Sequence, residues 1–226
     1  MKATWDAAAA SEHVDEYVGD PATARAELDG LFGRLGADPR GGTCVEVGCG
    51  PGRMTGYLAE RFDRVVAVDV SAGMLERARA NVTAENVELR LVSGEGLETV
   101  EDACADVLVC YLVLQHLPKR RLVLRYLAEL ARALAPTGEA FVQVPVLHSG
   151  LRPRVWRLAR GTAIPIASLF DRGVAGGAAY RGTRLTEPEL QAGLASAGLR
   201  TVSRDESPSS PYRYAREVFL RLERTR

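Results

Sequence analysis

The chain has 226 residues, of which 46% are hydrophobic and 26% charged, and its formal net charge at pH 7 is zero. This length fits one globular domain with a sizeable core, and the balanced charge excludes a global field that attracts nucleic acid or acidic membranes. We expect a cytoplasmic protein, because no window approaches the roughly 20 apolar residues of a membrane span and the N-terminal stretch lacks a signal-peptide core.

Short apolar strands alternate with helical stretches along most of the chain. Helices are predicted at residues 5–18, 21–35, 52–62, 72–82, 119–135, about 154–170 and 186–198. Strands are predicted at residues 43–48, 64–69, 87–92, within 105–114, and at 139–146, 199–204 and 214–223. Ser71 caps one of these helices and a capping box of Thr186 and Glu189 begins another. The rhythm predicts an α/β fold with a mostly parallel sheet covered on both faces.

The rhythm breaks between residues 147 and 183. This stretch contains Pro153, Pro165 and the run GGAA. It is longer than an ordinary connection, so we interpret it as functional or mobile.

The most informative stretch is VEVGCGPGRMT, residues 45–55. Gly48, Gly50 and Gly52 follow a strand and precede a helix, which is where α/β sheets bind nucleotides. We interpret these glycines as removing Cβ atoms that would hold a ligand away. Asp69 ends the next strand, where a carboxylate can accept hydrogen bonds from both ribose hydroxyls.

Two common nucleotide motifs do not fit this stretch. Arg53 stands where a dinucleotide-binding fingerprint has its third glycine, and no Lys-Ser or Lys-Thr pair completes a phosphate loop. The pattern is ExGxGxG, with Glu46 as its acidic member.

These segments together resemble the ordered motifs of class I S-adenosylmethionine-dependent methyltransferases. The resemblance covers residues 43–146 through VEVGCGPG, VVAVDVSAGML, VSGEGLE, ADVLVCYLVLQHLP and LAPTGEAFVQVP. LTEPELQAGLASAGL resembles the penultimate helix of that family. The resemblance implies a Rossmann-like, doubly wound, mostly parallel seven-stranded sheet with S-adenosylmethionine as cofactor. It further implies one domain over residues 1–226, with an N-terminal helical lid at 1–36 and a substrate cap at 147–183.

The resemblance also implies roles for individual residues. Glu46 supports the amino end of the cofactor's methionine, and Asp69 holds the ribose. Val70 and Met74 line the adenine, and Glu95 faces the adenine amino group. The implied cofactor-binding set is Glu46, Gly48, Cys49, Gly50, Gly52, Arg53, Asp69, Val70, Met74, Gly94, Glu95, Gly96, Cys110 and Tyr111.

Four members of this set have a purely structural alternative. Met74 could belong to the core, and Glu95 could be a solvated turn residue. Cys110 could touch the cofactor through its main chain alone. Arg53 could pair with an acidic side chain of the protein.

The acceptor side offers few candidates for chemistry. His116, His148 and Tyr17 are the candidate catalytic residues, each with a packing or surface role as the alternative. His13 lies one helical turn before Tyr17. The candidate substrate-binding residues are His116, Trp156, Tyr180 and Tyr212.

The resulting hypothesis is methyl transfer from S-adenosylmethionine to a small organic molecule, at oxygen, in specialised metabolism. The alternatives are transfer to the nitrogen of a small amine, a non-methylation reaction on this fold, and a non-catalytic binding module; Arg53 argues against a nicotinamide-dependent oxidoreductase. We expect no metal, no nucleic-acid or membrane partner, and a monomer or homodimer.

Overall fold

The computed structural model describes residues 2–10, 21–153, 155, 182–207 and 214–225. Its helices are α1 (Lys2–Ala9), α2 (Pro21–Arg34), α3 (Thr55–Arg61), α4 (Ala72–Asn81), α5 (Arg120–Ala133) and α6 (Glu187–Ser196). Its strands are β1 (Thr43–Val47), β2 (Arg64–Asp69), β3 (Val87–Leu91), β4 (Ala105–Cys110), β5 (Leu134–Leu147), β6 (Leu199–Ser207) and β7 (Ala215–Arg224). None of the described helices is long and apolar enough to cross a lipid bilayer.

The strands form one seven-stranded sheet in the order β3-β2-β1-β4-β5-β7-β6. The first five pair in parallel, whereas β7 runs antiparallel to both of its neighbours. The predicted Rossmann-like, mostly parallel sheet is therefore confirmed. The strand order reverses between β1 and β4, and such a reversal opens a ligand-binding crevice at the carboxyl ends of the strands.

Apolar side chains alternate between the two faces of the sheet, so the core has two layers. One layer joins the sheet to α5 and α6 through residues such as Leu108, Leu127 and Leu190. The other joins it to α2 and α3, where Phe32 and Phe141 meet edge to face with ring centroids 4.7 Å apart. Both faces are covered because parallel strands are apolar on both sides.

Most predicted boundaries agree with the structure, including both helix caps. Ser71 accepts a hydrogen bond from the Met74 N–H, and Thr186 and Glu189 form the reciprocal capping box. The predicted start of β5 was wrong, because this strand begins at Leu134 rather than at residue 139. Leu134 pairs with Ala105 of β4, which continues the sheet through the APTG stretch. The helical interpretation of residues 154–170 lies almost entirely outside the described residues.

Candidate functional site

Three strand ends meet at the carboxyl edge of the sheet, where the strand order reverses. In the parallel register, Glu46 of β1 lies opposite Ala67 of β2 and Val109 of β4. Asp69 and Cys110 are the last residues of β2 and β4. The fold therefore brings two carboxylates from separate strands to one crevice.

The glycine turn after β1 adopts a conformation that few other residues tolerate. Gly48, Gly50 and Gly52 have φ angles of 74°, 55° and 89°, in the left-handed region that favours glycine. The Gly48 N–H donates to the carbonyl of Val68 at 2.7 Å, and the Gly50 N–H donates to Asp69 Oδ2 at 2.9 Å. These bonds attach the turn to the end of β2.

Protein atoms occupy the space that a Cβ would need at two of these glycines. A Cβ on Gly48 would overlap the side chain of Val113, and one on Gly52 would lie 2.6 Å from Cγ2 of Val82. The interpretation that these two glycines clear space for a ligand is therefore revised. They are required by positive φ and by close packing against the β4 loop and the end of α4.

Asp69 is a buried carboxylate whose oxygens each accept a backbone hydrogen bond. Oδ1 accepts from the Ser71 N–H at 2.8 Å and Oδ2 from the Gly50 N–H. Burial raises the pKa of this carboxyl group. Because each carboxylate oxygen can accept two hydrogen bonds, Asp69 keeps acceptor capacity for a ribose diol.

Glu46 is a second buried acid and has a more strongly perturbed pKa. Glu46 is only 5% exposed, and its Oε2 accepts a hydrogen bond from the Thr55 hydroxyl at 2.6 Å. Burial raises the pKa of Glu46 to about 7. A buried carboxylate is costly to ionise without a cationic partner, so this site favours a ligand that brings one.

Arg53 is held by the protein. Its guanidinium forms a two-pronged ion pair with the Glu27 carboxylate of α2, with N···O distances of 2.9 and 3.0 Å. The Tyr111 hydroxyl lies 3.5 Å from the same carboxylate. The structure thus shows the protein pairing that the sequence left open for Arg53. Direct cofactor contacts by Arg53 and Tyr111 stay predictions.

The buried carboxylates of this site fit S-adenosylmethionine better than a phosphate-bearing nucleotide. Within the described residues, neither Glu46 nor Asp69 forms a salt bridge, while the cofactor carries an ammonium, a sulfonium and a ribose diol. A pyrophosphate would need free N–H groups or cations, but the turn's Gly48 and Gly50 N–H groups are already bonded and Arg53 is paired. The carboxylates therefore match a cationic diol ligand.

Comparison with known proteins shows which family part of the chain resembles. Residues 45–142 match the family model described as "Methyltransferase domain". Over these residues the chain is similar to class I S-adenosylmethionine-dependent methyltransferases. Two similar solved methyltransferase structures, at 17% and 22% identity, contain bound S-adenosylhomocysteine.

Sequence relatives of this chain include methyltransferases with different names. It is 30% identical over 115 residues to a ubiquinone biosynthesis O-methyltransferase of Idiomarina loihiensis, covering 50% of this chain and 43% of the relative. It is 32% identical over 146 residues to a trans-aconitate 2-methyltransferase of Methylobacterium radiotolerans, covering 64% of this chain and 52% of the relative. The chain thus spans about half the length of these two relatives.

A solved structure supports the fold over nearly the whole chain. A SAM-dependent methyltransferase of Leishmania major superposes with a TM-score of 0.67 at 13% identity, covering 97% of this chain and 81% of that chain. At this identity the likeness concerns the fold.

The N-terminal helix α1 packs against a residue predicted to line the adenine. Met74 is buried against Ala8 and Ala9 of α1. Asp6 of α1 accepts a hydrogen bond from the Ser71 hydroxyl at 2.6 Å. This placement agrees with the core alternative for Met74, and adenine contacts by Met74 and by the half-buried Val70 stay predictions.

The loop after β3 presents its backbone rather than its acid. The Glu95 side chain is 65% exposed and lies 3.9 Å from Arg125, a solvated pair. Gly94 is buried with a φ of 85°, and Gly96 packs beside Glu129. Glu95 therefore occupies the solvated position that the sequence left open, and the contacts of this loop with adenine stay predictions.

The two buried cysteines of the predicted set act as small apolar groups. Cys110 is fully buried, and burial raises the pKa of its thiol to about 12. Burial likewise raises the pKa of the Cys49 thiol. Both thiols are neutral at pH 7, so a cofactor contact by either would involve the main chain or a neutral sulfur. Within the described residues, no cluster of three or more potential metal ligands occurs.

His116 lies in a short 3₁₀ turn over Leu114–His116, in the loop that leaves the carboxyl end of β4. Its ring meets Trp5 of α1 edge to face, with centroids 5.0 Å apart. Its Nε2 lies 3.2 Å from Nε2 of Gln115, a residue that is buried. His148 differs, because its side chain is exposed and its backbone N–H donates to Tyr214 at 2.8 Å.

Several predicted residues cannot be placed. Tyr17, His13, Trp156, Tyr180 and Tyr212 lie outside the described residues. Sequence reasoning missed other contributors, namely Trp5, Asp6, Glu27, Leu112, Gln143 and Glu217. Their identities carry no local motif, and only the contacts between distant segments reveal them.

Both ends of the predicted substrate cap are attached near His116. Leu147 donates its N–H to the carbonyl of Leu185 at 2.8 Å, at the carboxyl end of β5. The Thr183 N–H donates to the carbonyl of Leu117 at 2.8 Å. The backbone of Gly182 lies so close to the Gln115 carbonyl that a Cβ would overlap it. The cap therefore leaves and rejoins the domain beside the same edge of the sheet.

Gly182→Ala is expected to lower the free energy of unfolding by about 1–2 kcal/mol, because the new methyl group must displace the Gln115 carbonyl. Urea denaturation measures this change. Gly33→Ala is the matched control, because a Cβ there meets no atom within 4 Å and alanine favours the helix by roughly 0.5–1 kcal/mol. A Gly182→Ala protein as stable as the wild type would contradict the close approach.

Proposed function

We propose that the protein transfers a methyl group from S-adenosylmethionine to an oxygen atom of a small organic molecule in specialised metabolism. The observation that carries the proposal is the pair of buried carboxylates, Glu46 and Asp69, at the carboxyl edge where the strand order reverses. The names of the sequence relatives, which include an O-methyltransferase, support a small acceptor. A cytoplasmic location remains part of the proposal.

The chain's own residues contribute mainly binding and alignment. The ionised Glu46 neutralises the ammonium of the methionine portion, and Asp69 accepts hydrogen bonds from the ribose hydroxyls. S-adenosylmethionine supplies, when bound, a methyl group activated by its sulfonium. Displacement at that carbon requires the acceptor in line with the methyl and sulfur atoms, so precise positioning supplies much of the rate.

His116 is the base that we propose for a hydroxyl acceptor. It lies six residues after the end of β4, and the chain rejoins the domain after the predicted cap against the neighbouring Gln115. Trp5 packs edge to face against the imidazole, which restricts the orientation of the ring. A base within hydrogen-bond reach favours a hydroxyl acceptor over an amine, which needs no base once neutral.

Two measurements test this function together. Calorimetric titration should show binding of S-adenosylhomocysteine and none of NAD. Incubation with S-adenosylmethionine and a panel of phenols, carboxylic acids and amines should then yield methylated products, detected by mass spectrometry, among the oxygen acceptors. Products confined to amines would replace oxygen by nitrogen transfer, and the absence of S-adenosylhomocysteine binding would refute the function itself.

Asp69→Ala is expected to weaken S-adenosylhomocysteine binding by about 1–2 kcal/mol, because ribose hydroxyls and two backbone N–H groups lose their acceptor. Calorimetry gives the change in Kd. Asp106→Ala is a suitable control, since Asp106 also accepts a backbone N–H, that of Thr43 at 2.8 Å, but at the amino end of β1. Equal losses in both variants would show that Asp69 acts through the fold and not through the ribose.

A further inference from the structure

Leu112 has an unusual backbone conformation near the carboxyl edge of the sheet. It lies two residues after the end of β4, and its φ angle is 60°. Bulky residues rarely adopt this left-handed conformation, and they keep it only where neighbouring groups hold the backbone in place.

Two buried side chains hold this backbone. The Leu112 N–H donates to Oε1 of Gln143 in β5 at 2.8 Å. Nε2 of Gln143 donates to the carboxylate of Glu217 in β7. Gln143 and Glu217 are each only 5% exposed. Because a carboxylate only accepts hydrogen bonds, Glu217 determines which end of the amide faces Leu112.

The turn at Leu112 decides where the following residue lies. Val113 packs directly onto Gly48, in the space that a Cβ there would occupy. Gly48 begins the glycine turn whose Gly50 N–H binds Asp69. A chain of direct contacts therefore runs from Glu217 through Gln143, Leu112 and Val113 to the glycine turn.

We propose that Gln143 and Glu217 are positioning residues for the cofactor site. They hold Leu112 in the left-handed conformation and thereby keep Val113 packed against the backbone of Gly48. The inference rests on the proposed function, because the turn that they position is the one that receives S-adenosylmethionine. Neither residue needs to touch the cofactor for this role.

A charge-swap series tests the pair. Gln143→Glu places two carboxylates against each other and should weaken S-adenosylhomocysteine binding about tenfold in calorimetry. The double variant Gln143→Glu/Glu217→Gln restores one amide and one carboxylate at unchanged net charge, so its affinity should return to within about threefold of wild type. Glu217→Gln alone keeps an oxygen that accepts from Gln143 and should also stay within about threefold.

Amide hydrogen exchange reads the turn independently of any ligand. Exchange at the Leu112 N–H should be faster in Gln143→Glu and return toward the wild-type rate in the double variant. Leu112→Gly removes the strain, so adding Gln143→Glu to it should cost less affinity than in the wild-type background.

The outcomes separate this inference from the proposed function. Unchanged affinity and unchanged Leu112 exchange in Gln143→Glu would overturn the inference, as would a double variant that stays as weak as the single one. If the wild-type protein does not bind S-adenosylhomocysteine, the proposed function fails and the cofactor role of the pair fails with it. Affinity lost and restored in the order predicted supports the inference.

Discussion

Replacing Glu46 by glutamine is expected to stabilise the cofactor-free protein at pH 8 by up to about 3 kcal/mol while weakening S-adenosylhomocysteine binding at least about tenfold. The reason is that Glu46 is buried with the Thr55 hydroxyl on one of its oxygens and has a pKa of about 7. Ionising it in the free protein is therefore unfavourable, and glutamine removes that cost. The same ionised group is what an ammonium ligand needs.

The sign of the pH dependence follows from the two pKa values. The folded pKa of about 7 lies above the reference value of 4.5. Between these values the folded protein binds a proton that the unfolded chain does not, so the contribution of Glu46 to stability falls as pH rises through this window. Denaturation of wild type and Glu46→Gln at pH 5 and pH 8 should show a difference mainly at pH 8.

Glu60→Gln provides the matched control for this experiment. Glu60 is exposed and pairs with Arg25 on the surface, so the same substitution should change stability by less than about 1 kcal/mol. Equal stability of wild type and Glu46→Gln at pH 8 would contradict the burial cost.

Cofactor binding should show the opposite pH dependence from stability, because it favours the ionised form of Glu46. An ammonium beside Glu46 stabilises its ionised form, so binding near pH 6 releases a proton, and affinity weakens as pH falls below about 7. Titrations in buffers of different ionisation enthalpy detect that proton. Glu46→Gln should bind with no such release, and an unchanged release in the variant would assign the proton to another group.

His116→Ala is expected to lower kcat for a hydroxyl acceptor by roughly 100-fold or more, the usual contribution of a positioned general base. The affinity for S-adenosylhomocysteine should stay within about threefold, because the predicted cofactor contacts lie elsewhere along the edge. Steady-state assays with the acceptor identified from the panel give kcat, and calorimetry gives the affinity.

Two comparisons show whether the imidazole acts as a base. Added imidazole should restore part of the activity of His116→Ala if proton removal is what was lost. His148→Ala, tested in parallel, decides between the two histidines, and the exposure of His148 predicts a change of less than about twofold. A large loss in His148→Ala with a normal His116→Ala would reverse the assignment.

Much of the fold could be predicted because it depends on local patterns. Short apolar runs between helical stretches predicted all seven strands. Short-range capping at Ser71 and Thr186 predicted two helix starts. The spacing of the glycines and Asp69 predicted the first strand, turn, helix and second strand, and these residues lie where the strand order reverses. The start of β5 at Leu134 was missed because pairing with Ala105 overrides the local turn composition.

The amino-acid sequence by itself determined the order of elements, the family resemblance and the two acids that we predict for the cofactor site. Only the tertiary structure decided that Arg53 pairs with Glu27, that Val113 explains the glycine at position 48, and that Gln143 holds Leu112. The physical reason is range: helix, strand and turn signals involve residues a few positions apart. These contacts join segments tens of residues apart, which meet only once the sheet has formed.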